Sequence, residues 1–225
     1  MFIFNNGYVY KILLKTRMIF SKKFIKIKSF DSKKYWEKRY LKGGNSGDGS
    51  HGKLAEFKAD IINQFIKKND VKTIIEWGCG DGNQLTYMNY PDYIGFDVSK
   101  TVVFNCFEKF KDDKRKTFLH TDDYTNQSAV LTLSLDVIFH LIEDNIFNDY
   151  MNRLFNSSQK FVVIYSSNTS EQFDTVPNHF RQRKFTDWVQ KNKSDFTLLE
   201  KIKNKYPHNQ QSGEGSVSDF YIYKK

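Results

Sequence analysis

The chain has 225 residues, 39% of them hydrophobic and 16% aromatic, with only three prolines; that is enough apolar material for one α/β domain and too little proline for long disordered linkers. Its formal net charge is +9, from 35 Lys+Arg against 26 Asp+Glu, which favours anionic partners. Much of that excess falls before residue 43, however, where a run of basic residues from Lys11 to Lys42 faces only Asp31 and Glu37, so the charge belongs to an extension more than to the domain.

The start, MFIFNNGYVYKILLKTRMIF, is apolar but broken by Lys11, Lys15 and Arg17. It offers neither a charge-free span of membrane length nor a small-residue cleavage site, so no transmembrane segment and no signal peptide is expected. Residues 1–30 are expected to form a basic, aromatic extension. It is either an arm for a membrane or partner or, more simply, a poorly ordered tail with Met18 as an alternative start. Residues 31–225 are expected to be the single domain. The only cysteines are Cys79 and Cys106, which suggests a reducing, cytoplasmic setting, and the scattered histidines form no ligand pair, so no metal site is expected.

From residue 52 the pattern is regular. Leu54, Phe57, Ile61, Ile62, Phe65 and Ile66 recur at three- and four-residue spacing, which predicts a helix ending near Asn69-Asp70. A strand is predicted at 71 to 76, then a glycine loop, then a helix through Leu85. YIGFD (93 to 97) reads as a strand, 102 to 111 as a helix, TFLH (117 to 120) as a strand and VLTLSLDVI (130 to 138) as a buried strand. NIFNDYMNRLF reads as a helix, KFVVIYSS (160 to 167) as a buried strand and KFTDWVQKN as a short helix. FTLLEKI and SDFYIYKK follow as strands with no helix between them. The alternation predicts a doubly wound, mostly parallel seven-stranded sheet, and the helix-free ending predicts an antiparallel last strand.

The glycine loop carries the chemistry. EWGCGDGNQL places Gly78, Gly80 and Gly82 directly after a strand, where bare backbone can turn tightly and approach a ligand that a Cβ would exclude. Asp97 ends the next strand, 21 positions after Glu76 (97 minus 76), the place from which a carboxylate binds both hydroxyls of a ribose. A dinucleotide would call for G-x-G-x-x-G and bring a pyrophosphate to the loop. Here Glu76 and Asp81 would repel that group and suit the cationic sulfonium and amino groups of S-adenosylmethionine (SAM).

These residues resemble the class I SAM-dependent methyltransferases over roughly residues 35 to 225. IIEWGCGDG is similar to their first motif. IGFDVS, with Asp97 and Val98, is similar to the second, and LHTDDY, with Asp122 and Asp123, to the third. The resemblance implies a Rossmann-like fold with an antiparallel closing strand, SAM as cofactor, Asp97 on the ribose and Asp122 near the adenine amino group. YWEKRYLKGGNSGDGSHGKLAEFKA, SLDVIFHLIED and HFRQRKFTDWV further resemble a bacterial-type subgroup thought to methylate saccharides or other small metabolites. Within that frame GGNSGDGSHG reads as a mobile loop folding over the cofactor.

Asp136 closes the fourth strand and His140 lies four residues on. If the chain turns helical there, the two share a face, and the carboxylate would raise the basicity of the imidazole; the plainer alternatives are a helix cap and a core histidine. Tyr165 ends the fifth strand at the same edge, and His179, Arg181, Arg183 and Lys184 form a basic stretch that could hold an anionic acceptor. A nucleic-acid acceptor draws on the net charge but lacks a [DNS]PP[YF] turn and any recognisable RNA-binding module. A non-catalytic scaffold is the remaining alternative, against which stands the intact glycine and Asp97 set.

Overall fold

The computed structural model describes residues 30–172, 177–209 and 211–225. The extension expected over residues 1–30 lies, except for Phe30, outside them. Seven strands form one sheet in the order β3-β2-β1-β4-β5-β7-β6, with β1 at Thr73–Trp77, β2 at Asp92–Asp97, β3 at Lys116–His120, β4 at Ala129–Leu135, β5 at Ser158–Ser166, β6 at Thr197–Ile202 and β7 at Asp219–Lys224. β3, β2, β1, β4 and β5 run parallel, and β7 inserts antiparallel to both β5 and β6. This is the sheet predicted from the sequence, including its reversed last strand. The chain direction across the sheet switches between β1 and β4, the place where open α/β sheets leave a crevice.

Among the described residues the helices are α1 (Ser32–Leu41), α2 (Gly52–Lys68), α3 (Lys100–Lys109), α4 (Asp144–Asn156) and α5 (Phe185–Asn192). Strand alternation divides the core. Ile74 faces Ile62 and Ile66 of α2 and Cys106 of α3 on one side. Ile75, Trp77 and Phe96 face Met151 and Leu154 of α4 and Val189 of α5 on the other.

Three local expectations are corrected, and one helix is added. The helix expected after the glycine loop is a single 3₁₀ turn, Gln84–Tyr87: Leu85 and Met88 supply one turn of apolar spacing before Pro91 forces extended backbone. The helix expected at 102 begins at Lys100, because the Ser99 side chain caps it by accepting from Val102 N. The strand expected to reach Ile138 stops at Leu135, where Asp136 takes φ +58°, a left-handed backbone that no strand accommodates. Finally, α1 was not foreseen, since its apolar residues form no continuous stripe. It is capped by Asp31, whose Oδ1 accepts from Lys34 N at 3.0 Å.

Candidate active site

The carboxyl ends of β1, β2, β3 and β4 open into one cavity with about 1110 Å³ of empty space, counting its mouth. Its floor is the glycine loop. Gly78 N and Cys79 N both donate to Phe96 O, at 2.7 and 3.1 Å, which ties the loop to β2. Gly78 and Gly80 have φ of +81° and +57°; a Cβ on Gly78 would lie 2.6 Å from Val137 Cγ2, and one on Gly80 would collide with Ser46 Oγ. Gly82 does not border the cavity. A Cβ there would sit 2.7 Å from the Phe110 ring, so its bareness lets the loop pack beside α3.

Two buried carboxylates face this floor. Asp97 accepts from Gly80 N at 3.0 Å and from Ser99 N at 2.9 Å, yet burial outweighs these bonds and pushes its pKa up to about 6. Glu76 accepts from Tyr93 Oη at 2.9 Å, and burial likewise lifts it to about 7 against the pull of Tyr93 and Lys58. Both groups give up stability when ionised, so a cationic group beside either carboxylate would be favoured. Of the four buried side-chain polar atoms without a hydrogen-bond partner among the described residues, Gln84 Oε1 and Thr121 Oγ1 belong to residues that line the cavity, as does Val98.

The roof is α1 with the loop that follows it. Ser32 at its start donates N–H to Glu143 Oε1 at 2.9 Å. Glu37 at its middle accepts from Ser99 Oγ at 2.6 Å and Thr101 Oγ1 at 2.7 Å. Tyr40 at its end meets Ser46 Oγ at 3.1 Å. Ser46 in turn exchanges bonds with Asp81, donating N–H to its carboxylate at 2.8 Å and accepting from its N–H at 2.9 Å. The loop expected to fold over a cofactor therefore lies against the glycine loop, and Trp36 and Tyr40 look down from above.

At the far end stand Lys58, Asp136 and His140. Lys58 Nζ is 2.8 Å from Asp136 Oδ2, with side chains 1% and 20% exposed, and Ser218 Oγ donates to Asp136 Oδ1 at 2.9 Å. His140 Nδ1 is 2.8 Å from His179 O. A carbonyl only accepts, so Nδ1 carries the proton and Nε2 keeps its lone pair. Trp36 packs edge-on against this ring at 4.8 Å. Asp136 does raise His140 basicity through its charge, as expected, but burial outweighs it and drives the imidazole down to about 4.

Other expected residues do not converge here. Arg183 bonds Leu141 O, Ile142 O and Asp144, and Arg181 bonds Ile142 O and Asp144. The two guanidinium groups pin the segment before α4 instead of facing the cavity. His179 stacks on Tyr35 at 4.6 Å, outside the cavity lining, and Lys184 pairs with Asp187 at 3.0 Å. Tyr165 is fully buried beneath Lys58, whose Nζ lies 5.3 Å from the ring centre. Asp122 and Asp123 border a separate surface groove beside Phe104 and Phe107, so Thr121, not Asp122, represents that loop in the cavity. Among the described residues no cluster of metal-ligating side chains occurs, and no helix is long and apolar enough to cross a membrane.

Sequence reasoning missed Trp36, Tyr40, Ser46 and Lys58. Lys58 carried a readable signal, since it lies four residues after Leu54 and four before Ile62, on the stripe a helix buries. The others became visible only through the contacts that close the roof.

No protein-family model and no curated protein matches the sequence. Solved structures do. The N-methyltransferase NodS from Bradyrhizobium japonicum WM9, in complex with S-adenosylhomocysteine (SAH), matches with a TM-score of 0.62 at 12% identity, covering 87% of this chain and 99% of that one. Magnesium protoporphyrin IX methyltransferase from Synechocystis PCC 6803, with bound SAM, matches at 0.61 and 13%, covering 88% and 99%. The methyltransferase domain of bacterial CtHen1 matches at 0.58 and 17%, covering 75% and 97%. At such identities the likeness is one of architecture, and together with the strand order and the reversed β7 it gives this chain the fold of the class I SAM-dependent methyltransferases.

Proposed function

We propose that this chain is an enzyme that binds SAM on the glycine loop and transfers its methyl group to a hydroxyl or amine of a small-molecule acceptor, such as a sugar or nucleotide sugar. The observation that carries the reading is the pair of buried carboxylates, Glu76 and Asp97, facing a floor of bare backbone. The donor set fits the group. Glu76 suits the cationic end of the cofactor, Asp97 with Val98 the ribose, and the unpartnered Thr121 Oγ1 and Gln84 Oε1 offer further polar contacts. When bound, SAM would supply an electrophilic methyl on a sulfonium whose positive charge disappears in the transfer.

The chain's own part is placement and exclusion of water. The roof of α1 covers the reacting end, and a desolvated, fixed geometry supplies much of the acceleration in transfers of this kind. His140 Nε2 is an acceptor toward which the proton of an O–H or N–H nucleophile can point, and Asp136, held by Lys58 and Ser218, offers a second acceptor in the same lining. The neighbours named above differ in acceptor, from a magnesium porphyrin to the substrate of an N-methyltransferase, so the fold leaves the acceptor open and the enclosed far end is what supports a small one.

Calorimetric titration tests the cofactor. SAM and SAH are expected to bind with micromolar dissociation constants, about −8 kcal/mol. Binding of NAD with no binding of SAM or SAH would overturn the reading.

A further inference from the structure

The far end of the cavity is matched to an uncharged acceptor. Three cationic side chains border the cavity, Lys33, Lys58 and Arg153, and each is already opposed by a carboxylate. Lys33 stands 3.9 Å from Asp122, Lys58 2.8 Å from Asp136 and Arg153 3.0 Å from Asp149. Glu76 and Asp97 add negative charge, and neither forms an ion pair among the described residues. The arginines that could have received a phosphate are spent on Asp144 and backbone carbonyls. An anionic group entering this end would meet carboxylates and no unpaired cation of the lining, at a cost that low-dielectric surroundings magnify; Arg39, whose charge also reaches His140, stands outside the lining, over the Trp36 ring and bonded to Asn45 O.

What the end does offer is a paired donor and acceptor. Lys58 is 1% exposed and spends one donor on Asp136, which leaves its ammonium further hydrogens. Asp136 is 20% exposed and holds a left-handed backbone at φ +58°, a strain that folded chains keep mainly at functional positions. The Trp36 ring and neutral His140 complete the wall. We infer that Lys58 and Asp136 are the acceptor-orienting pair: Asp136 accepts from the O–H of the nucleophile while Lys58 donates to an adjacent oxygen, as suits a neutral polyol and not a phosphorylated or carboxylated one. This inference rests on the SAM reading above and narrows it.

Inorganic phosphate tests the charge account without any methyl transfer. In thermal melts of the full chain, phosphate at an ionic strength matched with chloride is expected to leave the wild type unmoved. Asp136→Asn, chosen because asparagine tolerates left-handed backbone, frees Lys58 and should gain roughly 3 °C or more from phosphate. Adding Lys58→Met should abolish that gain. Phosphate stabilisation of the wild type that Lys58→Met removes would overturn the inference, as would an Asp136→Asn protein indifferent to phosphate. SAH melts run beside these report on the cofactor site alone, so failure of the SAM reading shows separately. With methyl-labelled SAM and a small-molecule extract of the source cells, labelled product should pass an anion exchanger at pH 8 in wild type and fall at least tenfold in Lys58→Met. Labelled product retained by the exchanger would overturn the inference.

Discussion

Glu76 and Asp97 make the site a device that trades stability for affinity. Burial raises the Glu76 pKa to about 7 from an ordinary 4.5, so its ionisation opposes folding: the cost is absent below about 4.5, grows as pH rises and is complete above 7. Glu76→Gln keeps an acceptor for Tyr93 and removes the charge. At pH 8 it is expected to stabilise the ligand-free protein by up to roughly 3 kcal/mol, seen as a melting temperature several degrees higher, a gain that shrinks toward pH 5. The same change should weaken SAM more than SAH, since only SAM carries the sulfonium charge. For the wild type, calorimetry should find SAM affinity roughly tenfold lower at pH 6 than at pH 8, with a smaller change for SAH. Asp97→Ala should weaken both ligands at least tenfold, and unchanged binding would remove Asp97 from the site. His140, depressed to about 4, gives the opposite sign: its contribution to stability is present above 6.5 and lost as pH falls toward 4. Its imidazole resonances should therefore show no titration between pH 8 and about 5.5. Position along the chain identified Asp136 and His140 but not their chemistry, because Lys58, Ser218 and the His179 carbonyl reach them from distant segments.

Among the elements, α1 and the loop after it show where sequence ceases to be legible. The glycine loop could be read because backbone demands leave fixed residues behind, and α2 because burial of one face leaves a period. α1 leaves neither mark. Its position depends on Glu143, Ser99, Thr101 and Ser46, partners that no local pattern announces, and the short crossover after the glycine loop was misread because one apolar turn looks like the start of a helix. Glu37→Ala removes the middle attachment. It is expected to speed amide exchange across Ser32–Leu41 at least tenfold while shifting the global melt by no more than a few degrees, as loss of about two hydrogen bonds of roughly 1 kcal/mol each would do. Unchanged exchange would show that the roof is held elsewhere.

For the molecule as a whole, the sheet was legible from end to end. The apolar run Phe161–Tyr165 reads as an interior strand, Leu131–Leu135 does so through its leucines with only the small polar Thr132 and Ser134 between them, and two strands without an intervening helix had to return antiparallel. The basic excess before residue 43 was legible as composition; Lys33, Lys34, Lys38 and Arg39 of it fall in α1, and the part before residue 30 lies outside the described residues. Every strand and helix of the described residues lies between Ser32 and Lys224. A chain lacking residues 1–29 is accordingly expected to keep its melting temperature within about 2 °C and its SAH affinity within about twofold. A larger loss, measured by calorimetry, would show that the extension bears on the domain.

A roof fastened at both ends and in the middle also sets a clock. If each attachment is worth about 1 kcal/mol, the open form is on the order of one molecule in a hundred, and whatever leaves the cavity must wait for it. Where opening is slower than methyl transfer, spent cofactor departs more slowly than it is formed. Such a protein would show a rapid first turnover followed by a slower steady rate, and accumulated SAH would restrain it until something else consumed that product.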